Sequence, residues 1–68
     1  MNKSVLTMRE KEIFSLLIKN KTTKDIAKIL NISEKTVRNH ISNAMQKLGV
    51  KGRAGAVVEL LKLGELSL

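Results

Sequence analysis

The residues best suited to chemistry in this sequence lie in the stretch 34–48, which is rich in cationic and amide side chains. At about 100° per residue, as in an α-helix, these side chains gather on one side, opposite an apolar stripe. Guanidinium and carboxamide groups can make paired hydrogen bonds to base edges, and ammonium groups can neutralise phosphates. The pattern therefore predicts a helix that lies in a groove of DNA. The polar side consists of Lys35, Asn39, Ser42 and Gln46, with Arg38 at one edge.

The shortage of acid on this helix supports that interpretation. A face that is only solvated usually mixes acidic and basic residues. Here Glu34 is the one acid, and it lies in the first turn, where the helix dipole favours it. Arg38 alone could still be a solvated cation. We favour base contact because Asn39 stands beside it, on a capped helix that follows a three-residue turn.

This helix has clear signals at both ends. Ser33 is a good N-cap because its hydroxyl can accept a hydrogen bond from an amide of the first turn. Gly49 is the residue type that most easily adopts a left-handed conformation after a last turn. The apolar stripe between them, which we expect to face the core, consists of Val37, Ile41, Ala44, Met45 and Leu48.

Two further helices are predicted before it. Thr7 with Glu10, and Thr22 with Asp25, have the spacing of capping boxes and are expected to begin these helices. Asn20 is expected to end the first helix in a left-handed turn, and residues 31–33 form the turn of a helix-turn-helix motif at about 22–41. The expected buried residues are Ile13, Phe14, Leu16, Leu17 and Ile18 in the first helix, and Ile26, Ala27, Ile29 and Leu30 in the second.

A fourth helix is predicted from about residue 53 to residue 63, and apolar residues lie on two of its sides. One side has i, i+3, i+4, i+7 spacing and is expected to face the core. We expect a second copy of the chain, related by a two-fold axis, to cover the other side. The alternative is that the tail, residues 65–68, folds back over it. The inward side is Ala54, Val57, Val58 and Leu61, and the dimer side is Ala56, Leu60 and Leu63.

The composition favours a small basic domain. The 68 residues include 13 Lys or Arg against 6 Asp or Glu, which gives a formal charge of +7. Such an excess favours a polyanionic partner, although a ribosomal or generally adhesive protein would share it. Without cysteine no disulfide can form, so a core of this size is marginal alone and oligomerisation is an expected source of stability.

Catalytic, metal and cofactor sites find no support in the sequence. His40 is the only histidine and there is no cysteine, so a metal site would lack ligands. Ser33 and Ser42 lack an activating base and a glycine elbow. Phe14 is the only aromatic residue, so base-stacking surfaces for single strands are not expected. No apolar run approaches a membrane span, and we predict neither an enzyme nor a small-molecule ligand.

Several ordered motifs resemble the LuxR/GerE-type DNA-binding domain over about residues 6–63. The central run and the end of the fourth helix are similar to stand-alone members that control late sporulation and spore-coat genes. The resemblance implies an all-α, four-helix helix-turn-helix domain over residues 1–68, with a dimerising C-terminal helix. Whether the chain is a fragment of a longer regulator stays open. The motifs are Leu6-Thr7-x-Arg9-Glu10-x-Glu12, Lys24-Asp25-Ile26-Ala27, Ile32-Ser33-Glu34-x-Thr36-Val37-x-x-His40 and Leu48-Gly49-Val50-Lys51.

The same resemblance implies roles for individual residues. Base-reading positions of the family correspond to Arg38, Asn39 and Ser42, with Lys35 and Asn43 nearby. Phosphate contacts correspond to Thr22, Thr23, Lys24, Ser33, Thr36, Lys47 and Lys51, and His40, at the shoulder of the third helix, is a further candidate.

These patterns together predict a sequence-specific, dimeric transcription regulator that binds double-stranded DNA, in the cytoplasm with the nucleoid. Its two recognition helices would read half-sites about one helical turn, roughly 34–36 Å, apart. Whether the protein also binds RNA polymerase stays open. Three alternatives remain: a sigma-factor-like promoter module bound to polymerase, a protein-interaction module that has kept the fold, and a basic amphipathic helix on a membrane surface. The last is disfavoured because the cations follow a capped helix-turn-helix.

Overall fold

A computed structural model describes residues 6–67, and over this range the chain forms four α-helices and no strand. The predicted all-α, four-helix fold is therefore confirmed. Residues 1–5 and Leu68, which belong to the predicted domain and its tail, lie outside the described residues. The helices are α1 (Met8–Ile18), α2 (Thr23–Leu30), α3 (Glu34–Leu48) and α4 (Arg53–Lys62).

Both predicted capping boxes are present. The Thr7 hydroxyl accepts a hydrogen bond from the Glu10 amide at 3.1 Å, and the Glu10 carboxylate accepts one from the Thr7 amide at 2.9 Å. Thr22 and Asp25 make the same reciprocal pair, with both bonds at 3.1 Å. Each cap satisfies amides that the helix itself leaves without partners, so α1 and α2 begin where the sequence predicts.

The turn between α2 and α3 is a single left-handed residue followed by a cap. Asn31 has a φ of 57°, and the amide of Ile32 donates to the carbonyl oxygen of Ala27 at 2.9 Å. Asn tolerates this conformation better than most residues that have a Cβ. The chain therefore reverses within three residues, which is what holds α3 at a fixed angle to α2. Asn20, after α1, is left-handed as predicted, with a φ of 66°.

The core is built around α3, because α1, α2 and α4 all pack against it. The predicted stripe of α3 is confirmed: Val37, Ile41 and Ala44 are buried, and Met45 and Leu48 are half-buried and pack against the same core. The other fully buried residues come from each of the remaining helices; they are Ile13, Phe14, Ile26, Ala56 and Leu60.

The orientation of α4 differs from the prediction. Ala56 and Leu60 have no exposed surface, so the assignment of these two residues to a dimer interface was wrong. Val58, expected inside, is 52% exposed. Both sides of α4 satisfy helical periodicity, and the tail decides between them: Leu66 is buried in the core, and its amide donates to the carbonyl oxygen of Leu60 at 3.4 Å. The alternative of a tail that folds back is thus observed in part: Leu66 joins Leu60 in the core, whereas Leu63 remains 51% exposed.

Ile29 is also more exposed than predicted. Its exposed fraction is 54%, while Ile26 and Ala27 of the same helix are buried. Ile29 lies at the edge of the apolar stripe of α2, where it lines an open groove with Leu16 of α1. None of the four helices in residues 6–67 has the length and apolarity needed to cross a membrane.

Candidate nucleic-acid interface

The third helix is anchored at its start by two hydroxyl groups. Ser33 accepts a hydrogen bond from the Thr36 amide at 3.0 Å, as the sequence predicts for an N-cap. The two side-chain oxygens lie 2.9 Å apart, so one hydroxyl donates to the other. One O–H proton of the pair remains available to an outside acceptor. Together with the dipole of α3, this makes the start of the helix favourable for an anion.

The side of α3 opposite the core is open to solvent. We call this surface the outer face. Because the helix buries its apolar stripe against three other helices, the polar residues opposite have no neighbour within the described part of the chain to cover them. All five predicted base-reading residues are exposed, and Gln46, which received no base contact in the sequence analysis, lies among them. The outer face consists of Lys35, Arg38, Asn39, Ser42, Asn43 and Gln46.

Arg38 forms an ion pair on this face. Its Nη1 atom lies 3.6 Å from Oε1 of Glu34, one turn nearer the start of α3, and the two side chains are 55% and 44% exposed. Glu34 was predicted only to favour the helix dipole, so this contact was not predicted. The i, i+4 spacing of acid and base was the available signal.

The start of α2 presents a second set of candidates for phosphate contact. The hydroxyl oxygen of Thr22 accepts the capping bond from the Asp25 amide, and the same hydroxyl also hydrogen-bonds the Asp25 carboxylate. Thr22 and Lys24 are exposed, and Thr23 is half-buried. The capping bond from the Thr22 amide lowers the pKa of the Asp25 carboxyl.

Lys47 is engaged within the fold rather than free. Its ammonium Nζ donates to Oε1 of Glu10 at 2.8 Å, which ties the last turn of α3 to the first turn of α1. The Glu10 side chain is only 4% exposed. Burial acts to raise the pKa of Glu10, but hydrogen bonds from Lys47 and Thr7 outweigh it and hold the pKa below the ordinary 4.5. Sequence reasoning missed this link because the two residues are 37 positions apart.

The remaining predicted site residues are Lys51, His40 and the three dimer candidates. Lys51, in the connector before α4, is exposed, and neither it nor Lys24 forms an ion pair with another residue in 6–67. His40 is half-buried at the shoulder of α3. Within the same range no three His, Cys, Asp or Glu side chains are grouped as a metal site would require. The three dimer candidates lie away from the outer face of α3. Ala56 and Leu60 are in the core, and Leu63 is 51% exposed at the end of α4.

Comparison with known proteins identifies the family to which this fold belongs. Residues 4–60 match the GerE model of the bacterial regulatory proteins of the luxR family. The chain belongs to this family. Like the other members it is a DNA-binding transcription regulator.

Individual relatives agree with the family assignment. This luxR-family chain is 72% identical to the spore germination protein GerE of Bacillus subtilis (strain 168) over 67 residues, which cover 98% of the chain and 90% of that protein. The solved structure of the transcription factor GerE matches with a TM-score of 0.93 at 66% identity, covering 96% of this chain and 97% of that one. A Vibrio cholera VqmA–ligand–DNA complex matches with a TM-score of 0.84 at 29% identity; the match covers 100% of this chain and 30% of the VqmA chain.

Proposed function

We propose that this luxR-family regulator acts as a dimer that places α3 of each copy in the major groove of double-stranded DNA. The observation that carries the proposal is the outer face, where a guanidinium and several amides stand exposed on a helix whose opposite side packs against the core. Arg38 is assigned to a guanine edge and Asn39 to an adenine edge, because these pairs match in donors and acceptors. Lys35, Ser42 and Asn43 complete the base-reading set.

We assign the phosphate contacts mainly to the starts of α2 and α3 and to the connector before α4, with His40 and Lys47 as further contacts along α3. Helix N-termini favour phosphate oxygens, and exposed ammonium groups neutralise them. Lys47 is ranked below the other cations, because Glu10 already holds its ammonium. The proposed contacts are Thr22, Thr23, Lys24, Ser33, Thr36, His40 and Lys51, with Lys47 in a minor role.

Selection of bound duplexes from random DNA, repeated at two salt concentrations, tests this function. We expect recovered sites to contain two inverted half-sites about one helical turn, roughly 34–36 Å, apart. Binding should also weaken steeply with salt, because phosphate contacts release counterions. Recovery of sequences with no common motif would refute sequence-specific recognition.

Substitution of Lys24 or Lys51, the two proposed phosphate-contacting lysines without an ion pair in residues 6–67, should affect all DNA sequences alike. We expect Lys24→Ala and Lys51→Ala each to weaken cognate and scrambled duplexes by the same factor and to reduce the slope of log K against log[salt] by about 0.9. Lys47→Ala should change that slope less, because its ammonium is paired with Glu10. Fluorescence anisotropy over a salt series measures both quantities. An equal slope change for all three lysines would contradict the ranking.

Loss of the Glu10–Lys47 link at low pH should make the protein less stable in acid. Because the folded pKa of Glu10 lies below 4.5, its contribution is present above that pH and is lost as the pH falls through the folded pKa. Glu10→Gln should lower stability at neutral pH by about 1 kcal/mol through the weakened cap and ion pair, and the difference should shrink in acid. Thermal unfolding across pH measures this, with the exposed Glu12→Gln as control. A difference from wild type that does not change with pH would contradict the assignment.

We also propose a role in sporulation. The support is the 72% identity to the spore germination protein GerE of B. subtilis over nearly the whole of both chains. Control of late sporulation and spore-coat genes would place the protein in the cytoplasm with the nucleoid, with RNA polymerase as its protein partner at promoters and no enzymatic role. Expression of this chain in a B. subtilis strain that lacks GerE should restore coat-gene transcripts. Failure to restore them, with the protein present and bound to DNA, would refute the sporulation role.

A further inference from the structure

We propose that Glu34 is a specificity-determining residue that acts through Arg38. Its carboxylate holds the guanidinium along α3 in the free protein and on non-cognate DNA, and gives it up only to a guanine edge. This inference rests on the proposed base contact of Arg38.

The geometry gives a pair that is formed but easily exchanged. Oε1 of Glu34 lies 3.6 Å from Nη1 of Arg38, which is longer than a tight charge-assisted hydrogen bond. The acid precedes the base by four residues, which is the favourable orientation along a helix. Both side chains are about half exposed, at 44% and 55%, so solvent and DNA can reach either partner. Exposed pairs of this kind are weak, so a better acceptor can displace the carboxylate.

Base edges and phosphates differ in whether they can displace it. A guanine offers two acceptors that match the guanidinium fork, and this contact discriminates strongly against other bases. A phosphate can also accept two bonds from the fork, but its attraction depends largely on charge and is the same for every sequence, so it is the source of non-specific binding. Glu34 neutralises that charge in advance and itself repels the DNA backbone. In non-cognate complexes the guanidinium of Arg38 therefore stays paired with Glu34 and contributes little to affinity. In the cognate complex it is released to the guanine. Specificity, which is the difference between the two affinities, increases as a result.

The position of Glu34 supports this role. It is the first residue of α3, directly after Ser33, and it is the one acid on the helix. Ser33 and Thr36 beside it are proposed phosphate contacts, so its carboxylate would lie close to the DNA backbone. An acid there weakens binding unless it contributes something else. Restraint of Arg38 is the contribution that the 3.6 Å contact indicates.

The chain offers a matched control on another helix. Arg9 and Glu12 of α1 also form an exposed pair, 3.7 Å apart and three residues apart in sequence, with 41% and 54% exposure. Glu12→Gln removes the same formal charge and breaks a similar ion pair, but at a site outside α3. A general effect of net charge on DNA affinity should therefore appear equally in Glu12→Gln and Glu34→Gln.

The test measures the affinity of full-length protein for the selected cognate duplex and for a scrambled duplex. The variants are Glu34→Gln, Glu12→Gln, Arg38→Ala and the double variant Glu34→Gln with Arg38→Ala. We expect Glu34→Gln to strengthen scrambled binding on the order of threefold to tenfold, with a smaller gain for the cognate duplex, so that the specificity ratio falls. Glu12→Gln should leave the ratio unchanged, and Glu34→Gln should not alter the ratio once Arg38 is absent.

The other outcomes separate this inference from the proposed function. If Arg38→Ala keeps full discrimination, the proposed base contact is wrong and this inference falls with it. If Arg38→Ala loses discrimination while Glu34→Gln behaves like Glu12→Gln, the base contact stands and only the role of Glu34 is refuted. If Glu34→Gln lowers the ratio equally with and without Arg38, Glu34 reads the DNA directly and the restraint mechanism is refuted.

Discussion

A Leu60→Glu protein is expected to be largely unfolded. The Leu60 side chain has no exposed surface, so the substitution would place a carboxylate in the core without a partner. Such a change costs several kcal/mol, which is comparable with the whole stability of a domain this small. Circular dichroism during heating measures the loss of helix. Val58→Glu is the control on the same helix, because that side chain is 52% exposed and should tolerate a charge.

The opposite pattern would overturn the orientation of α4. If Leu60→Glu folded normally and Val58→Glu unfolded, the inward side would be the one that helical periodicity first suggested. The two variants therefore test where α4 faces without reference to DNA or to a second chain.

Val58→Glu is also expected to abolish dimerisation and to weaken operator binding strongly. On the side of α4 that carries Ala54, Val57, Val58 and Leu61, Ala54 and Val58 are exposed, whereas Val57 and Leu61 are half-buried and pack partly against the core. We propose this side as the dimer contact in place of the buried one. The affinity of a dimer for two linked half-sites can exceed the affinity for a single half-site by on the order of 10²-fold or more, and a monomer loses that gain.

Leu63→Glu is the matched control for this prediction. Leu63 is 51% exposed, almost the same as Val58, but it lies at the end of α4 and was the third residue first assigned to the dimer. Sedimentation should show a monomer for Val58→Glu and a dimer for Leu63→Glu. If only Leu63→Glu were monomeric, the dimer contact would lie at the end of the helix. If both variants remained dimeric, α4 would not be part of the interface.

The features that sequence alone predicted are those determined locally. A capping box needs only residues three apart, so the starts of α1 and α2 were correct. The stripe of α3 was correct because that helix has a single apolar side. The opposite side of α3 therefore had to be exposed, and the residues of the outer face followed from the same helical periodicity.

The features that were missed depend on distant parts of the chain. The tail with Leu66 was one of two alternatives for covering Leu60, and the two apolar sides of α4 left periodicity unable to choose between them. Lys47 meets Glu10 only because α1 packs on α3. The pair of Glu34 and Arg38 is different, because its spacing was visible in the sequence and only its consequence for binding required the contact distance.

The central claim is that Arg38 reads a base while Lys51 contacts only the backbone. Binding of wild type, Arg38→Ala and Lys51→Ala to a randomised duplex library tests it most directly. Arg38→Ala should relax the preference at one position of each half-site, by about 1–3 kcal/mol, and Lys51→Ala should weaken every sequence by the same factor. Identical profiles for the two variants would contradict the claim.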